Sequence, residues 1–260
     1  MKDAPVRLKT PGEMDAMAAA GRAAAATLAA AKAAATQGVN LLEIEEIAKE
    51  TLKKHGARPA LLGYHPGFSA QVYRYATCLS LNDEVIHAEP RDRILKENDV
   101  LGIDLVAEID GWHADSAITV TVGEGTPVAK KLLAVTEKSM WLGIEQCRAG
   151  NTLGHVGAAV QRHVEKNGFH VLREMVGHGV GTAVHEGGLD VANYGRPGAG
   201  RRLEVGMTFA VEPMVSTRSG KVKHRKNDPW AVVTTDGGLG AHFEHTVAVT
   251  PDGPRILTLP

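Results

Sequence analysis

Apolar residues fall along this chain in two kinds of stretch: long ones broken by charges, and short ones that are nearly continuous. The long kind begins at Thr10-Pro11-Gly12-Glu13, where a capping residue, a proline at the first helical position and a glutamate at the third predict a helix to about Ala35. Its Ala-rich run over 16–35 is interrupted by Arg22 and Lys32, and alanine is barely hydrophobic enough for lipid, so it reads as a helix and not a membrane span. Asn40-Leu41-Leu42-Glu43 repeats the starting signal and predicts a second helix to His55, with Gly56 as terminator. Thr126-Pro127 opens a third towards Cys147, and Gly150-Asn151-Thr152 leads into a fourth that stops at Gly168.

The short kind reads as strands. Residues 100–109 and 112–122 are joined by Asp110-Gly111, a strong hairpin signal. A two-residue loop sets Ile109 opposite Trp112 and Asp104 opposite Ala117, which leaves Asp115 on the face of Asp104, one diagonal step away. In Thr208-Phe209-Ala210-Val211-Glu212-Pro213 an acid stands late in an apolar strand, and the proline limits further pairing. In His242-Phe243-Glu244-His245-Thr246-Val247 an acid stands early, as Asp115 does in its own strand.

These elements repeat. Gly38, Asn40, Leu41, Ile44 and Gly56 match Gly150, Thr152, Leu153, Val156 and Gly168 at a constant offset of 112 positions (150 minus 38). The run 95–99 leads to Asp104 much as 203–207 leads to Glu212. The expected architecture is therefore α+β: two related helix-helix-strand halves, about 12–123 and 126–250, sharing one core in a single domain over 1–260.

A net charge of −1 gives no broad attraction to nucleic acid or to an anionic membrane. Residues 1–10 lack the apolar segment of a signal peptide. Cys78 and Cys147 have neither zinc-knuckle spacing nor the density of a disulfide scaffold, so a reducing cytoplasm is expected.

The chemistry lies in the acids. Asp104 stands in Val100-Leu101-Gly102-Ile103-Asp104-Leu105-Val106-Ala107, and burying an unpaired carboxylate costs several kcal/mol or forces protonation. A cation resolves that conflict. Asp104, Asp115, Glu212 and Glu244 occupy matching strand positions, two per half, and Gly177-His178-Gly179-Val180-Gly181 adds an uncrowded imidazole. No helix start follows that glycine-rich stretch, which argues against a phosphate loop. Four carboxylates and a neutral histidine balance two divalent ions, which roughly 3.5 to 4 Å apart activate water and polarise a carbonyl, so hydrolysis is the expected reaction. Such donors suit Mn, Fe, Co or Zn without choosing among them. His87 and His185 are further neutral-pH donors near the same strands.

The stretches Ser80–His87, Ile103-Asp104, Asp110–Asp115, Gly177–Gly181, Val211–Met214 and Phe243–Thr246 resemble those of the type I methionine aminopeptidases of the pita-bread fold, in their short bacterial form. The resemblance implies removal of the initiator methionine from nascent proteins when the second residue is small. It also implies residue roles. Asp115 and Glu244 would bridge two ions, Asp104 would complete one site, and His178 with Glu212 the other. His87 would contact the substrate amide, His185 would steady the scissile carbonyl, and Glu212 would shuttle a proton. Tyr64, His65, Cys78 and Trp230 fall at positions resembling the lining of the methionine pocket, together with His87 and His185 as substrate contacts. The implied partners are nascent peptides with an N-terminal methionine, with transient ribosome contact left open, and the implied state is a cytoplasmic monomer. A prolidase-like exopeptidase, or a binding module that has lost its metals, are the alternatives of the same fold. The segment 66–75 is longer than the family pattern, and Val106 and Ala210 stand where threonine is common, which puts the pocket rim and the hydrogen bonds behind the ligands in question.

Overall fold

The computed structural model describes residues 5–66, 71–226 and 228–260. The first half runs α1 (Pro11–Ala34), α2 (Leu41–Lys54), β1 (Arg58–Pro59), β2 (Cys78–Leu81), β3 (Glu84–Ile86), β4 (Val100–Ile109) and β5 (Trp112–Thr121). The second runs α3 (Pro127–Ile144), α4 (Leu153–Lys166), β6 (His170–Val171), β7 (Val176–Gly179), β8 (Glu186–Ala192), β9 (Thr208–Val211), β10 (Met214–Ser216), β11 (Val222–Arg225), β12 (Asp228–Thr234), β13 (Gly240–His242), β14 (Glu244–Thr250) and β15 (Gly253–Ile256).

The helices start where their caps place them. The Thr10 hydroxyl accepts from the Glu13 backbone N–H while the Glu13 carboxylate accepts from the Thr10 N–H, and Asn40 with Glu43 does the same for α2. The alanines of α1 serve close packing. A Cβ on Gly21 would lie 1.8 Å from the Leu257 carbonyl oxygen, so only glycine at that position lets the helix sit against the carboxyl-terminal segment. Among the described residues no helix is long and apolar enough to cross a membrane.

Asp110 and Gly111 both take positive φ, 51° and 82°, as a two-residue primed turn requires. The β4–β5 register follows: Ile109 faces Trp112, Asp104 faces Ala117 and Val106 faces Asp115. In the largest antiparallel sheet this hairpin meets β14, whose Glu244 pairs with Ala117, and β14 continues to β9. On the other side, Cys78 of β2 pairs with Asp104. One cross-strand row therefore reads Cys78, Asp104, Ala117, Glu244.

The two halves repeat each other in detail. Gly38 N–H donates to the Leu95 carbonyl and Gly150 N–H to that of Leu203; Leu41 N–H donates to Arg93 and Leu153 N–H to Arg201; Asn40 bridges Ile94 as Thr152 bridges Arg202. Each half has its own apolar cluster, α1 and α2 against β4 and β5, and α3 and α4 against β9 and β14. The fold is a pita-bread α+β fold with pseudo-symmetric halves around a shared curved sheet.

The sheet is interrupted at the acids. After Val211, Glu212-Pro213 leaves the large sheet and β10 pairs instead with β13, so that Met214 faces His242. Phe243 makes the matching break between β13 and β14. Glu212 and Glu244 therefore sit at the two corners where the chain changes sheets, a bend not visible in 242–249, which reads as one strand.

Candidate metal centre

Asp115, Glu212 and Glu244 are all buried, and their backbones are fixed by neighbouring polar side chains. The Thr246 hydroxyl accepts from the Asp115 N–H at 2.9 Å and donates to its carbonyl at 2.8 Å. The Ser116 hydroxyl donates to the Glu244 carbonyl, and the Asn193 amide to that of Glu212. Thr246 thus holds β14 at the level of Ala210, with which it pairs, and Val106 packs in an apolar cluster with Leu61, Tyr73, Cys78, Val184 and Trp230.

His178 reaches the acids from β7, where Gly177 is obligatory: a Cβ there would stand 2.5 Å from the Ala210 carbonyl oxygen of the adjoining strand. Its Nδ1 lies 3.1 Å from the Gly179 carbonyl oxygen, which directs Nε2 at the carboxylates, 3.6 Å from Asp115 Oδ2 and 3.5 Å from Glu212 Oε1. The donor atoms of Asp115, His178 and Glu244 lie within 4.8 Å of one another, and so do those of Glu212, His242 and Glu244. Asp104 falls outside both groups but adjoins them, opposite Ala117 and with Glu212 and His242 acting on its charge. His242 is absent from the sequence-based ligand set.

The electrostatics are those of a cation site. Asp115 Oδ1, Glu212 Oε1, Glu244 Oε1 and His242 Nε2 are buried without a hydrogen-bond partner. Burial pushes Glu212 up to about 8 and Asp104 to about 6, and burial with mutual repulsion holds Asp115 and Glu244 well above the usual carboxylate range. Burial also lowers His178 to about 3 and His185 to about 4, keeping both imidazoles neutral. Oxygen and imidazole donors left unpaired at this density fit divalent ions.

Beside the acids is an apolar cavity lined by Leu61, Tyr64, Tyr73, Cys78, His185 and Trp230, with His87 on its wall. Tyr73 and Trp230 meet edge to face at 5.2 Å. The small sheet β11-β12-β3 brings Trp230 and His87 together, since Val232 pairs with Ile86. His87 has φ of +63°, a left-handed conformation that costs a non-glycine residue about 1 kcal/mol or more and that aims its ring at the cavity. Burial and the neighbouring histidines lower it to about 3. The His185 ring stacks on Tyr64, whose hydroxyl lies 2.7 Å from His185 Nδ1, and its centroid is 3.9 Å from that of His178.

Of the residues expected from the sequence, His65 is exposed and is not among the cavity's lining residues. Tyr73 and Leu61 line it without having been singled out. Residues 67–70 of the long segment 66–75 lie outside the described residues; its end is held by the Glu45 carboxylate, which accepts from the Ala76 and Thr77 N–H groups and the Thr77 hydroxyl.

The model of metallopeptidase family M24 matches residues 15–251. The chain belongs to that family. Within M24 it is similar to methionine aminopeptidases along nearly its whole length: 43% identical to that of Clostridium perfringens, over 97% of this chain and 98% of the relative, and 43% identical to methionine aminopeptidase 1 of Bacillus subtilis, over 96% and 98%. The methionine aminopeptidase structure of Thermotoga maritima superimposes with a TM-score of 0.93 at 39% identity, covering 98% of this chain and all of that one. The Pyrococcus furiosus prolidase shares the M24 fold at 20% identity and a TM-score of 0.74, with 65% of its chain covered.

Proposed function

We propose that this M24 peptidase removes the initiator methionine from nascent proteins, hydrolysing the first peptide bond when the second residue is small. The observation that carries the reading is the junction of an apolar, aromatic-walled cavity with a buried set of unpaired carboxylates, through the Cys78–Asp104 pair. The cavity suits an unbranched apolar side chain, and the acids suit two divalent ions of the Mn, Fe, Co or Zn class held by Asp104, Asp115, His178, Glu212 and Glu244. Bound there, the ions supply Lewis acidity and a water reactive at neutral pH.

The chain's own groups do the rest. Cys78, Tyr64 and Trp230 seat the methionine side chain, and His65 stands at the rim. With the Tyr64 hydroxyl donating to Nδ1 of the neutral His185 ring, Nε2 carries the proton and donates to the carbonyl oxygen as it gains charge. His87, neutral and fixed by its backbone, donates to the substrate amide and then assists the departing amine. Glu212, a carboxylate when the ions are bound, takes a proton from water and passes it to the departing amine. The reading extends to a single catalytic domain acting as a cytoplasmic monomer on nascent chains, with transient contact at the ribosome. The two free, buried cysteines support the reducing compartment, and the sheet shared by the halves supports the single domain.

The test is release of free methionine from Met-Ala-Ser, beside Pro-Ala and Ala-Pro controls, by chelated protein titrated with Mn, Co, Fe or Zn. Methionine release restored by metal is expected, and Asp104→Asn abolishes it with the fold intact. Metal-restored cleavage of only a proline control moves the protein to the prolidase branch, and silence throughout to a binding module.

A further inference from the structure

His242 belongs to none of the roles derived above, yet it points into the acids. It is 3% exposed, and its Nε2 is buried with no hydrogen-bond partner. That atom lies 3.5 Å from Glu212 Oε2 and 3.9 Å from Glu244 Oε2. An N–H···O bond spans about 2.7 to 3.2 Å, so neither contact is one. Two donors on one cation, each about 2.0 to 2.2 Å from it, stand roughly 3 to 3.5 Å apart, which is close to the observed spacing. His178, with Nε2 at 3.5 and 3.6 Å from its carboxylates, shows the same spacing.

The backbone allows His242 no retreat. Its N–H donates to the Thr119 hydroxyl at 2.9 Å, and that hydroxyl donates to its carbonyl at 2.7 Å. Met214 pairs with it on the other side, and the break at Phe243 turns its side chain towards Glu212. Glu212 thus stands between two imidazoles, Oε1 towards His178 and Oε2 towards His242, and Glu244 is common to both donor groups.

We infer that His242 Nε2 is a sixth protein ligand of the ion pair, holding one ion with Glu212 and Glu244 while Glu212 reaches the ion of His178 through its other oxygen, so that each ion carries one imidazole. The inference rests on the two-ion reading proposed above. A second imidazole moves the site towards Co, Fe and Zn and away from Mn, which favours oxygen donors.

The experiment is calorimetric titration of Co2+, and separately of Mn2+, into the chelated full-length protein and its variants, with circular dichroism to establish folding. Two Co2+ per chain are expected. His242→Ala and His242→Gln should both weaken one Co2+ event by on the order of tenfold or more, and the Mn2+ event by less, with His178→Ala weakening the other. If His242→Ala binds both Co2+ as the unmodified chain does while His178→Ala does not, the inference falls and the two-ion reading stands. If His242→Gln retains full affinity and His242→Ala loses it, the histidine is a hydrogen-bond partner and not a ligand, and the inference again falls. If the unmodified chain binds no Co2+, or His178→Ala changes nothing, the two-ion reading falls and takes this one with it. Should the variants fail to fold, proton NMR of the unmodified Co2+-loaded protein decides: two hyperfine-shifted imidazole N–H resonances are expected, and one overturns the assignment.

Discussion

His87 concentrates much of what a single residue contributes here. Its positive φ is tolerated because β3 and β12 fix the residues before and opposite it, and a ring aimed by its backbone is ready to donate without reorganising. His87→Ala should therefore lower turnover by roughly a hundredfold or more, in line with general acid-base groups, while metal content by atomic emission stays unchanged. Loss of metal instead would make it a ligand. Gly177 contributes by what it lacks. Gly177→Ala drives a methyl group against the Ala210 carbonyl and towards Glu212, and should destabilise the fold by about 1 to 3 kcal/mol in denaturant titration. Asp104 and Glu212 are legible in the sequence because each interrupts an apolar run, where a charge is anomalous, Asp115 through the hairpin register, and Glu244 through its matching place early in a strand. His242 was not legible, since beside Phe243 and Glu244 it reads as one more strand position; only the change of sheets turns it inward.

At the scale of elements, the caps and the Asp110-Gly111 turn made the helices and the central hairpin readable, register included, because both signals are local. The pocket was readable only in part. Its wall comes from the turn around Leu61 and Tyr64, the strand end at Cys78 and the distant β12, and Tyr73 joins it through long-range contacts that no local periodicity announces. Glu45 of α2 is the link between helix and pocket rim, accepting three hydrogen bonds from residues 76 and 77. Glu45→Ala leaves two backbone N–H groups unpaired, with an expected loss of about 3 kcal/mol in stability. Because the same rim carries Tyr73 and Cys78, KM for Met-Ala-Ser should rise more than kcat falls; an unchanged KM would mean that the rim holds its shape without Glu45.

For the molecule as a whole, burying four acids together makes the metal-free fold sensitive to pH. Above about pH 7.5 the buried histidines are essentially neutral both folded and unfolded, so the carboxyls decide. Glu212, at about 8 when folded against 4.5 ordinarily, keeps a proton that the unfolded chain has released. At this group the folded state binds more protons, so the stability Glu212 contributes is fully present below pH 4.5 and is lost as pH rises through 8. Chelated protein should lose roughly 1 kcal/mol between pH 7.5 and 9 by thermal or denaturant unfolding, at no more than about 1.4 kcal/mol per retained proton and pH unit. Co2+ should abolish the slope, because ions bind the deprotonated form. A chelated protein equally stable at both pH values would mean that the acids already share a compensating charge.

The row Cys78, Asp104, Ala117, Glu244 has a consequence for chain length. Neighbouring strands stand about 4.8 Å apart, so the seat for a side chain and the place where a bond is cut are fixed one strand-width from each other. That spacing is a measuring stick one residue long. On the reading proposed above, a peptide threaded deeper would have to carry its second side chain past the acids, so the site would count a single residue from the free end and stop.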